Sequence, residues 1–213
     1  MKSLKGYIYE QIKNYPTPIA GCDEQFKYLL GERQRLHEAE AIKLMLLGGP
    51  GSGKSTYSEY ISEHFDIPHI YPGDMLRKSD DPEVKALLAK GEVAPLDVVV
   101  KIIKQEIAKA PNGYILDGFP RNLEQLKEMH DAGIEINRVI YLDVSDAEVI
   151  RRLTARGRAD DTPEIVKNRL KVYQRETGPV VDYYKGKKEF HSVKAEGGTP
   201  ETIAKKIIRD IEE

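Results

Sequence analysis

Residues 43–56, KLMLLGGPGSGKST, indicate the fold, because a short apolar run ends in a glycine-rich turn that leads into Lys54 and Ser55. The spacing G-x-x-x-x-G-K-[ST] between a predicted strand and a predicted helix is typical of a phosphate-binding loop. Glycines let the backbone curl until successive N–H groups face phosphate oxygens, where a Cβ atom would collide. The dipole of the following helix adds to the attraction for an anion.

The phosphate-binding loop predicts the triphosphate side of a nucleotide site. Lys54 is expected to reach the β- and γ-phosphates, and the hydroxyl of Ser55 or of Thr56 is expected to face Mg²⁺. An ordinary glycine-rich turn is the alternative, but it does not require the Lys-Ser pair. The residues of this segment predicted to bind ATP are Gly49, Pro50, Gly51, Ser52, Gly53, Lys54, Ser55 and Thr56.

Outward from this loop, short apolar segments alternate with longer amphipathic segments. This alternation predicts an α/β fold with a parallel sheet covered on both faces. The strand candidates are residues 43–47, 68–71, 113–116 and 138–144, with a weaker one at 190–193. The helix candidates are residues 53–64, 82–90, 96–110, 123–132, 146–156, 163–184 and 200–211.

The composition limits the classes of partner and cofactor. The 213 residues carry 33 Lys and Arg against 35 Asp and Glu, so no nucleic acid or anionic membrane is expected as a partner. The single cysteine, Cys22, excludes an internal disulfide and argues against a structural zinc site. No apolar run approaches the length that spans a bilayer, and the polar N-terminus does not resemble a signal peptide. We expect a cytoplasmic protein.

Residues 1–40 differ from the rest, because two helix-like pieces, separated by the sequence YPTP at 15–18 and by Gly21, precede any strand. They predict a helical extension in front of a domain at residues 41–213. Terminal helices usually dock on their domain or contact another subunit, so a homo-oligomer is one hypothesis for this segment.

In residues 114–121, YILDGFPR, a second predicted strand ends at an acidic residue, Asp117, and a basic residue, Arg121, follows four positions later. Because the carboxyl ends of parallel strands meet at one edge, Asp117 is expected to face the phosphate-binding loop and to hold Mg²⁺, partly through water. A turn cap for Asp117 and a surface ion pair for Arg121 are the alternatives. If the next helix is under way at Arg121, Gln125 shares its face, so that one side chain binds phosphate and the other a base edge.

Taken together, the segments GGPGSGK at 48–54 and DGFPRNLEQ at 117–125 resemble the adenylate kinase family. The resemblance runs from about residue 43 to the C-terminus. It implies a doubly wound five-stranded sheet in the order 2-3-1-4-5, a helical monophosphate-binding insertion at about 72–101, and a mobile lid. It also implies reversible, Mg²⁺-dependent phosphoryl transfer from ATP to a nucleoside monophosphate, with AMP favoured, giving ADP.

The resemblance also assigns the acceptor side. Arg77, in GDMLR at 73–77, corresponds to the arginine that holds the acceptor phosphate, and Gln125 to the glutamine that bonds adenine. Pro72 stands where the family usually has threonine, and losing one hydrogen bond could change base discrimination by about 1–3 kcal/mol. The residues implied to bind AMP are Pro72, Gly73, Arg77, Glu92, Val93, Ala94, Gly118, Phe119, Arg121, Gln125, Arg158 and Arg169.

Arginines cluster near residues 152–169, a pattern that is also typical of a solvated charged face. By resemblance they flank the lid: Arg152 would stack on the ATP adenine, and Asp160 and Asp161 would orient the other guanidinium groups. The loop GGTP at 197–200, with Thr199, resembles the one that borders the ATP adenine. The groups expected around the transferred phosphoryl group are Lys54, Arg121, Arg156, Arg158 and Arg169, together with Mg²⁺, and no general base is assigned.

The lid itself is almost absent, because only Gly157 separates Arg156 from Arg158, leaving a vestigial lid at about 156–160. A missing lid predicts either some ATP hydrolysis or another element over the site, for which residues 1–40 are a candidate. Two other functions fit parts of the pattern: a kinase for a small non-nucleotide alcohol, and a nucleotide-binding assembly module. Aromatic residues near the C-terminus, such as Tyr173, are expected to be packing residues.

Overall fold

The computed structural model describes residues 4–15, 24–79, 84–85, 94–157 and 161–212. The chain divides into two compact units, Met1–Ala41 and Ile42–Glu213. This division falls next to the boundary expected at residues 40–41. Each unit is described by itself.

The N-terminal unit contains helices α1 (Leu4–Lys13) and α2 (Glu24–Glu40), which contact each other. These are the two helix-like pieces expected before the first strand. The rings of Tyr15 and Phe26 lie 5.2 Å apart between centroids, which joins the end of one helix to the start of the other. Cys22 lies outside the described residues.

Five parallel strands form the centre of the second unit and lie in the order β2-β3-β1-β4-β5. This sheet confirms the predicted fold. The strands are β1 (Ile42–Gly48), β2 (His69–Ile70), β3 (Gly113–Asp117), β4 (Arg138–Asp143) and β5 (Phe190–Lys194). Side chains alternate across β1, so that Leu44 and Leu46 pack in the core on one face and Met45 and Leu47 in the core on the other.

Helices cover both faces of the sheet. Their bounds are α3 (Lys54–Phe65), α4 (Pro72–Lys78), α5 (Leu96–Ile107), α6 (Leu123–Asp131), α7 (Asp146–Arg156), α8 (Pro163–Glu176), α9 (Gly178–Tyr184) and α10 (Pro200–Glu212). Most agree with the predicted segments to within a few residues.

Two helix predictions need correction. The single helix expected over residues 163–184 is two helices, because Pro179 has no N–H to donate and its ring would clash with the carbonyl four residues earlier. Helix α4 was not predicted, although Pro72 at its first position and Asp74 in its first turn favour a helix start. Of the helix expected over 82–90, residues 84–85 are helical and the others lie outside the described part of the chain.

The register of the central strands places the two sequence motifs side by side. Leu46 of β1 pairs with Asp117, the last residue of β3. The phosphate-binding loop begins two residues after Leu46, at the carboxyl edge of the sheet. Asp117 therefore lies next to that loop, as expected from the sequence.

Candidate active site

A cleft of about 1560 Å³ opens at the carboxyl edge of the sheet. The phosphate-binding loop, the turn after β3, helices α7 and α8 and the loop before α10 line it. Most of the residues proposed from the sequence meet here: Pro50, Gly51, Gly53, Lys54, Ser55, Thr56, Arg77, Asp117, Gly118, Arg121, Gln125, Arg152, Arg156, Arg169 and Thr199.

The phosphate-binding loop requires glycine at two positions. Gly51 and Gly53 have φ angles of 72° and 95°, in the left-handed region. A Cβ atom would lie 2.9 Å from Cγ of Leu153 at Gly51, and 2.8 Å from a ring carbon of Tyr57 at Gly53. At these two positions the loop tolerates no side chain, which fits a phosphate chain bound closely through backbone N–H groups.

Lys54 is directed back over this loop. Its Nζ donates hydrogen bonds to the carbonyl oxygens of Gly48 at 2.7 Å and Gly49 at 3.0 Å. Burial lowers the pKa of Lys54, while nearby Asp117 opposes this shift and Arg121 and Arg169 add to it. The charges of Asp117, Arg121 and Arg169 therefore act on Lys54, and all four side chains line the cleft. Three of the four are basic, as a site for a polyanion requires.

Asp117 has one carboxylate oxygen paired and one unpaired. Its side chain is buried, and Oδ2 lies 3.2 Å from Nε2 of His69. Oδ1 is buried and has no hydrogen-bond partner within the part of the chain that the structure describes. Because a buried carboxylate oxygen and the hydroxyl of Ser55 are oxygen ligands of the type that Mg²⁺ prefers, the residues fit that ion.

The helix after β3 is not yet under way at Arg121, so Arg121 and Gln125 do not share a helix face. Helix α6 begins at Leu123, because Asn122 caps it by accepting a hydrogen bond from the Gln125 N–H. Arg121 precedes the helix, and its Nε donates to Gly118 O at 2.8 Å. Oε1 of Gln125 accepts from the Arg121 N–H at 2.7 Å, so Gln125 supports the Arg121 turn as well as lining the cleft.

The Arg152 guanidinium lies between two parts of the cleft wall. Its Nε donates to Glu148 at 2.7 Å, and its terminal nitrogens approach Ala195 O at 2.6 Å and Ser52 O at 3.5 Å. These contacts connect α7 to the phosphate-binding loop and to the residue after β5. They make Arg152 a structural link.

Asp161 joins two of the clustered arginines. Its buried carboxylate accepts a bidentate pair from Arg156 at 2.7 and 2.8 Å and approaches Arg169 at 3.3 Å. Such paired hydrogen bonds fix the direction of a guanidinium group. Asp160 and Arg158 lie outside the described residues, as do Glu92 and Val93 of the expected acceptor loop.

Of the proposed residues that the structure describes, the following are not among those that line the cleft: Gly49, Ser52, Pro72, Gly73, Ala94 and Phe119. The side chains of Ser52, Pro72, Ala94 and Phe119 are buried, and Phe119 packs in the core that contains Met45. A Cβ atom at Gly49 would lie 3.6 Å from a ring carbon of Tyr173, and one at Gly73 would lie 3.5 Å from a ring carbon of Tyr71. In the loop before α10, Thr199 Oγ1 accepts from the Thr202 N–H at 3.3 Å and so caps the helix.

Several cleft residues were missed in the sequence. Tyr71 and Tyr173 line the cleft, although Tyr173 was expected only to pack. Thr177 donates from Oγ1 to Arg121 O at 2.8 Å, across 56 residues of sequence. Tyr71 could have been found from its place at the end of the predicted strand 68–71, whereas the contact of Thr177 depends on how α8 and α9 fold back.

Within the described residues, no group of three or more His, Cys, Asp and Glu side chains is arranged to hold a metal ion. Among the helices that the structure describes, none is long and apolar enough to cross a membrane.

Comparison with known proteins identifies relatives of this chain. The family model described as "Adenylate kinase" matches residues 46–189. The chain is 39% identical to the adenylate kinase of Prochlorococcus marinus (strain MIT 9515) over 164 residues, which cover 72% of this chain and 90% of that protein. It is 38% identical to the adenylate kinases of Mycolicibacterium paratuberculosis and Rhodococcus erythropolis over 178 residues, which cover 78% of this chain and 97% of each relative.

Proposed function

This chain belongs to the adenylate kinase family, and from that premise we propose how its cleft residues divide the work of the reaction. The enzyme transfers the terminal phosphoryl group of ATP to AMP, giving ADP. The convergence of Lys54, Asp117, Arg121 and Arg169 in one cleft carries the proposal. A small-alcohol kinase would explain Lys54 and Asp117 but not Gln125 together with Arg77 and Arg121. An assembly module does not need so many charges around one phosphoryl group.

The donor side is proposed to be the phosphate-binding loop. Its backbone N–H groups would surround the β-phosphate, and Lys54 would exchange its bonds to two loop carbonyls for phosphate oxygens. Lys54 is already poised for this exchange because it spans the loop at 2.7 and 3.0 Å. Binding a polyanion would also raise its lowered pKa and keep the ammonium charged.

The acceptor side is proposed to lie between Arg77 and Arg121. Arg121 is anchored through its Nε to Gly118 O and through its own carbonyl to Thr177, so its guanidinium reaches the cleft from a fixed backbone. Gln125 supports the same turn and lines the cleft where a purine base edge would be read. The selection of AMP among nucleoside monophosphates would depend on Gln125. Pro72 has no hydroxyl that could add a hydrogen bond to the base.

Arg156 and Arg169 are proposed to stabilise the charge on the moving phosphoryl group, held in place by Asp161. Mg²⁺ is proposed to be held by Ser55 and Asp117, partly through water, and when bound it neutralises phosphate charge. No residue needs to act as a general base, because positioning and positive charge supply most of the catalysis in phosphoryl transfer.

One assay tests the proposal. The protein is incubated with ATP and MgCl₂ and with AMP, CMP, UMP or GMP, and the nucleotides are separated by chromatography. ADP formed in excess of hydrolysis with AMP, and less product with the other monophosphates, is the expected result. No diphosphate product from any acceptor would reject the proposed acceptor site.

Two further expectations remain proposals. Family membership and the single cysteine favour a cytoplasmic location. The N-terminal unit is proposed to organise an oligomer or to cover the nucleotide, because this extension coincides with an almost absent lid.

A further inference from the structure

An aromatic ring lies in the acceptor side of the cleft and has no role so far. Tyr71 is the residue between β2 and α4, is half-buried and lines the cleft. We propose that Tyr71 is a positioning residue for the acceptor phosphate: its ring holds the guanidinium group of Arg77 in the direction that receives a nucleoside monophosphate. This inference rests on the proposed assignment of Arg77 to the acceptor.

The ring is the contact best suited to orient Arg77. Cζ of Arg77 lies 5.7 Å from the centroid of the Tyr71 ring, within the distance at which a guanidinium is attracted to an aromatic face. The ion pair of Arg77 with Asp74 is 3.5 Å long, whereas Lys78 approaches Asp74 at 2.7 Å. Lys78 contacts the other carboxylate oxygen, and because the Arg77 contact is at the upper limit of hydrogen-bond length, Asp74 fixes Arg77 only weakly.

The position of the ring is itself fixed from the sheet side. The His69 ring lies nearly parallel to it, at 11° and with centroids 6.3 Å apart, and His69 contacts Asp117 at 3.2 Å. His69 belongs to β2, at the edge of the sheet, and lies opposite Ile115 of β3. The sheet therefore supports the Tyr71 ring from one side.

The ring also fits closely beside the second acceptor arginine. A Cβ atom at Gly118 would lie 3.1 Å from a Tyr71 ring carbon and 3.4 Å from a terminal nitrogen of Arg121. The Tyr71 ring and the Arg121 guanidinium group therefore both border Gly118. Arg77 is exposed, and an exposed arginine loses side-chain freedom when it binds, so a ring that limits its freedom beforehand strengthens acceptor binding.

The test is a steady-state analysis of Tyr71→Leu, Tyr71→Phe, Arg77→Ala and the Tyr71→Leu/Arg77→Ala double variant. We expect Tyr71→Leu to raise KM for AMP about three- to fivefold while KM for ATP and kcat change less than about twofold. Tyr71→Phe keeps the ring face and should restore KM for AMP to near that of the parent protein. In the Arg77→Ala background, Tyr71→Leu should add less than about a twofold change, because the ring acts through Arg77.

Tyr60→Leu, at an exposed ring of α3, is the matched control and should leave both KM values unchanged. If Tyr71→Leu does not fold, Tyr71→Met keeps a similar apolar volume without an aromatic face and should give the same rise in KM for AMP. An equal rise in both KM values, no rescue by phenylalanine, or a full effect in the absence of Arg77 would overturn the inference. An unchanged KM for AMP in Arg77→Ala would overturn the acceptor assignment as well, whereas a rise in Arg77→Ala without one in Tyr71→Leu would overturn the inference alone.

Discussion

Single residues in the cleft differ in what holds them. Arg156 is fixed by a buried carboxylate and Arg121 by backbone carbonyls, while Arg77 is exposed. Lys54 is different again, because its partners in the structure are loop carbonyls that a phosphate would replace. Substitutions at these positions should therefore separate binding of the donor, binding of the acceptor and the rate of transfer.

Replacing Lys54 by methionine should lower kcat about 10²–10³-fold, because the charge that is proposed to face the transferred phosphoryl group is lost. Thermal unfolding should change little, because the loss of the hydrogen bonds to Gly48 O and Gly49 O is offset by removal of a buried amine whose charged form burial disfavours. Steady-state ADP formation and circular dichroism melting measure the two effects. Lys101→Met, at an exposed position of α5, is the control, and a Lys54 variant with near-normal kcat would contradict the assignment.

Replacing Arg121 by alanine should weaken use of AMP more than binding of ATP, because the side chain is proposed to bind the acceptor phosphate. A rise in KM for AMP of tenfold or more corresponds to loss of one charge-assisted contact of about 1.5–3 kcal/mol. Kinetics with AMP varied at saturating ATP, together with calorimetric titration of ATP, separate the two substrates. Equal losses for both substrates would argue against the proposed division.

Elements position these residues through their ends. Asn122 starts α6 and leaves Arg121 in the preceding turn, and the break between α8 and α9 places Thr177 against that same turn. Helix α7 begins at the Ser145 cap and ends at Gly157, with Glu148 in its first turn. The cleft is thus built largely from the ends of elements, where backbone groups without helix partners are available.

Thr177→Val should loosen the Arg121 turn. The variant removes the hydrogen bond from Thr177 Oγ1 to Arg121 O and leaves that carbonyl without this donor. We expect the free energy of unfolding to fall by about 1 kcal/mol and KM for AMP to rise severalfold. Urea unfolding and kinetics measure both, and Thr177→Ser, which keeps the hydroxyl, should behave like the parent protein. A valine variant with unchanged KM for AMP would show that the link does not serve the acceptor.

Glu148 in α7 should make stability sensitive to acid. Hydrogen bonds from Arg151 and then Arg152 hold the pKa of Glu148 down to about 2, from an ordinary value of 4.5. Because the pKa of Glu148 is lower in the folded state, its hydrogen bonds with the two arginines stabilise the protein above pH 4.5. This contribution to the free energy of unfolding is lost as the pH falls toward 2. Unfolding monitored from pH 5 to pH 2 should show a steeper decline for the parent than for Glu148→Gln; parallel curves would contradict the assignment.

The whole molecule consists of two compact units, and the match to the adenylate kinase family, residues 46–189, lies within the second. All residues that line the cleft also belong to that unit. Only residues 158–160 separate Gly157 from Asp161, so little chain is available there to exclude water from the phosphates.

Deletion of residues 1–39 tests what the N-terminal unit does. ADP formation from ATP and AMP should persist, because the cleft belongs to the other unit, while the oligomeric state or the ratio of transfer to hydrolysis should change. Light scattering and release of inorganic phosphate measure these properties. If both are unchanged in the truncated protein, the proposed role of the extension is wrong.

The sequence by itself determined the fold class, the order of the sheet and the residues of the phosphate-binding loop. Hydrophobic period and glycine spacing are local properties, and the paired motifs at 48–54 and 117–125 identified the family from which the strand order followed. Local patterning also located Asp117 at a strand end, because the carboxyl ends of parallel strands must meet at one edge.

Only the tertiary structure decided which side chains contact and orient the site residues that were predicted from the sequence. The contacts of Thr177 with Arg121, of Arg152 with Ala195 and of Tyr71 with Gly118 depend on how distant elements fold back, and sequence spacing does not specify them. The same is true of Arg121, which belongs to a turn rather than to α6 because Asn122 offers the better helix cap. Periodicity constrains neighbours along the chain, whereas the direction of a side chain in a cleft is set by packing and hydrogen bonds among elements that only the folded chain brings together.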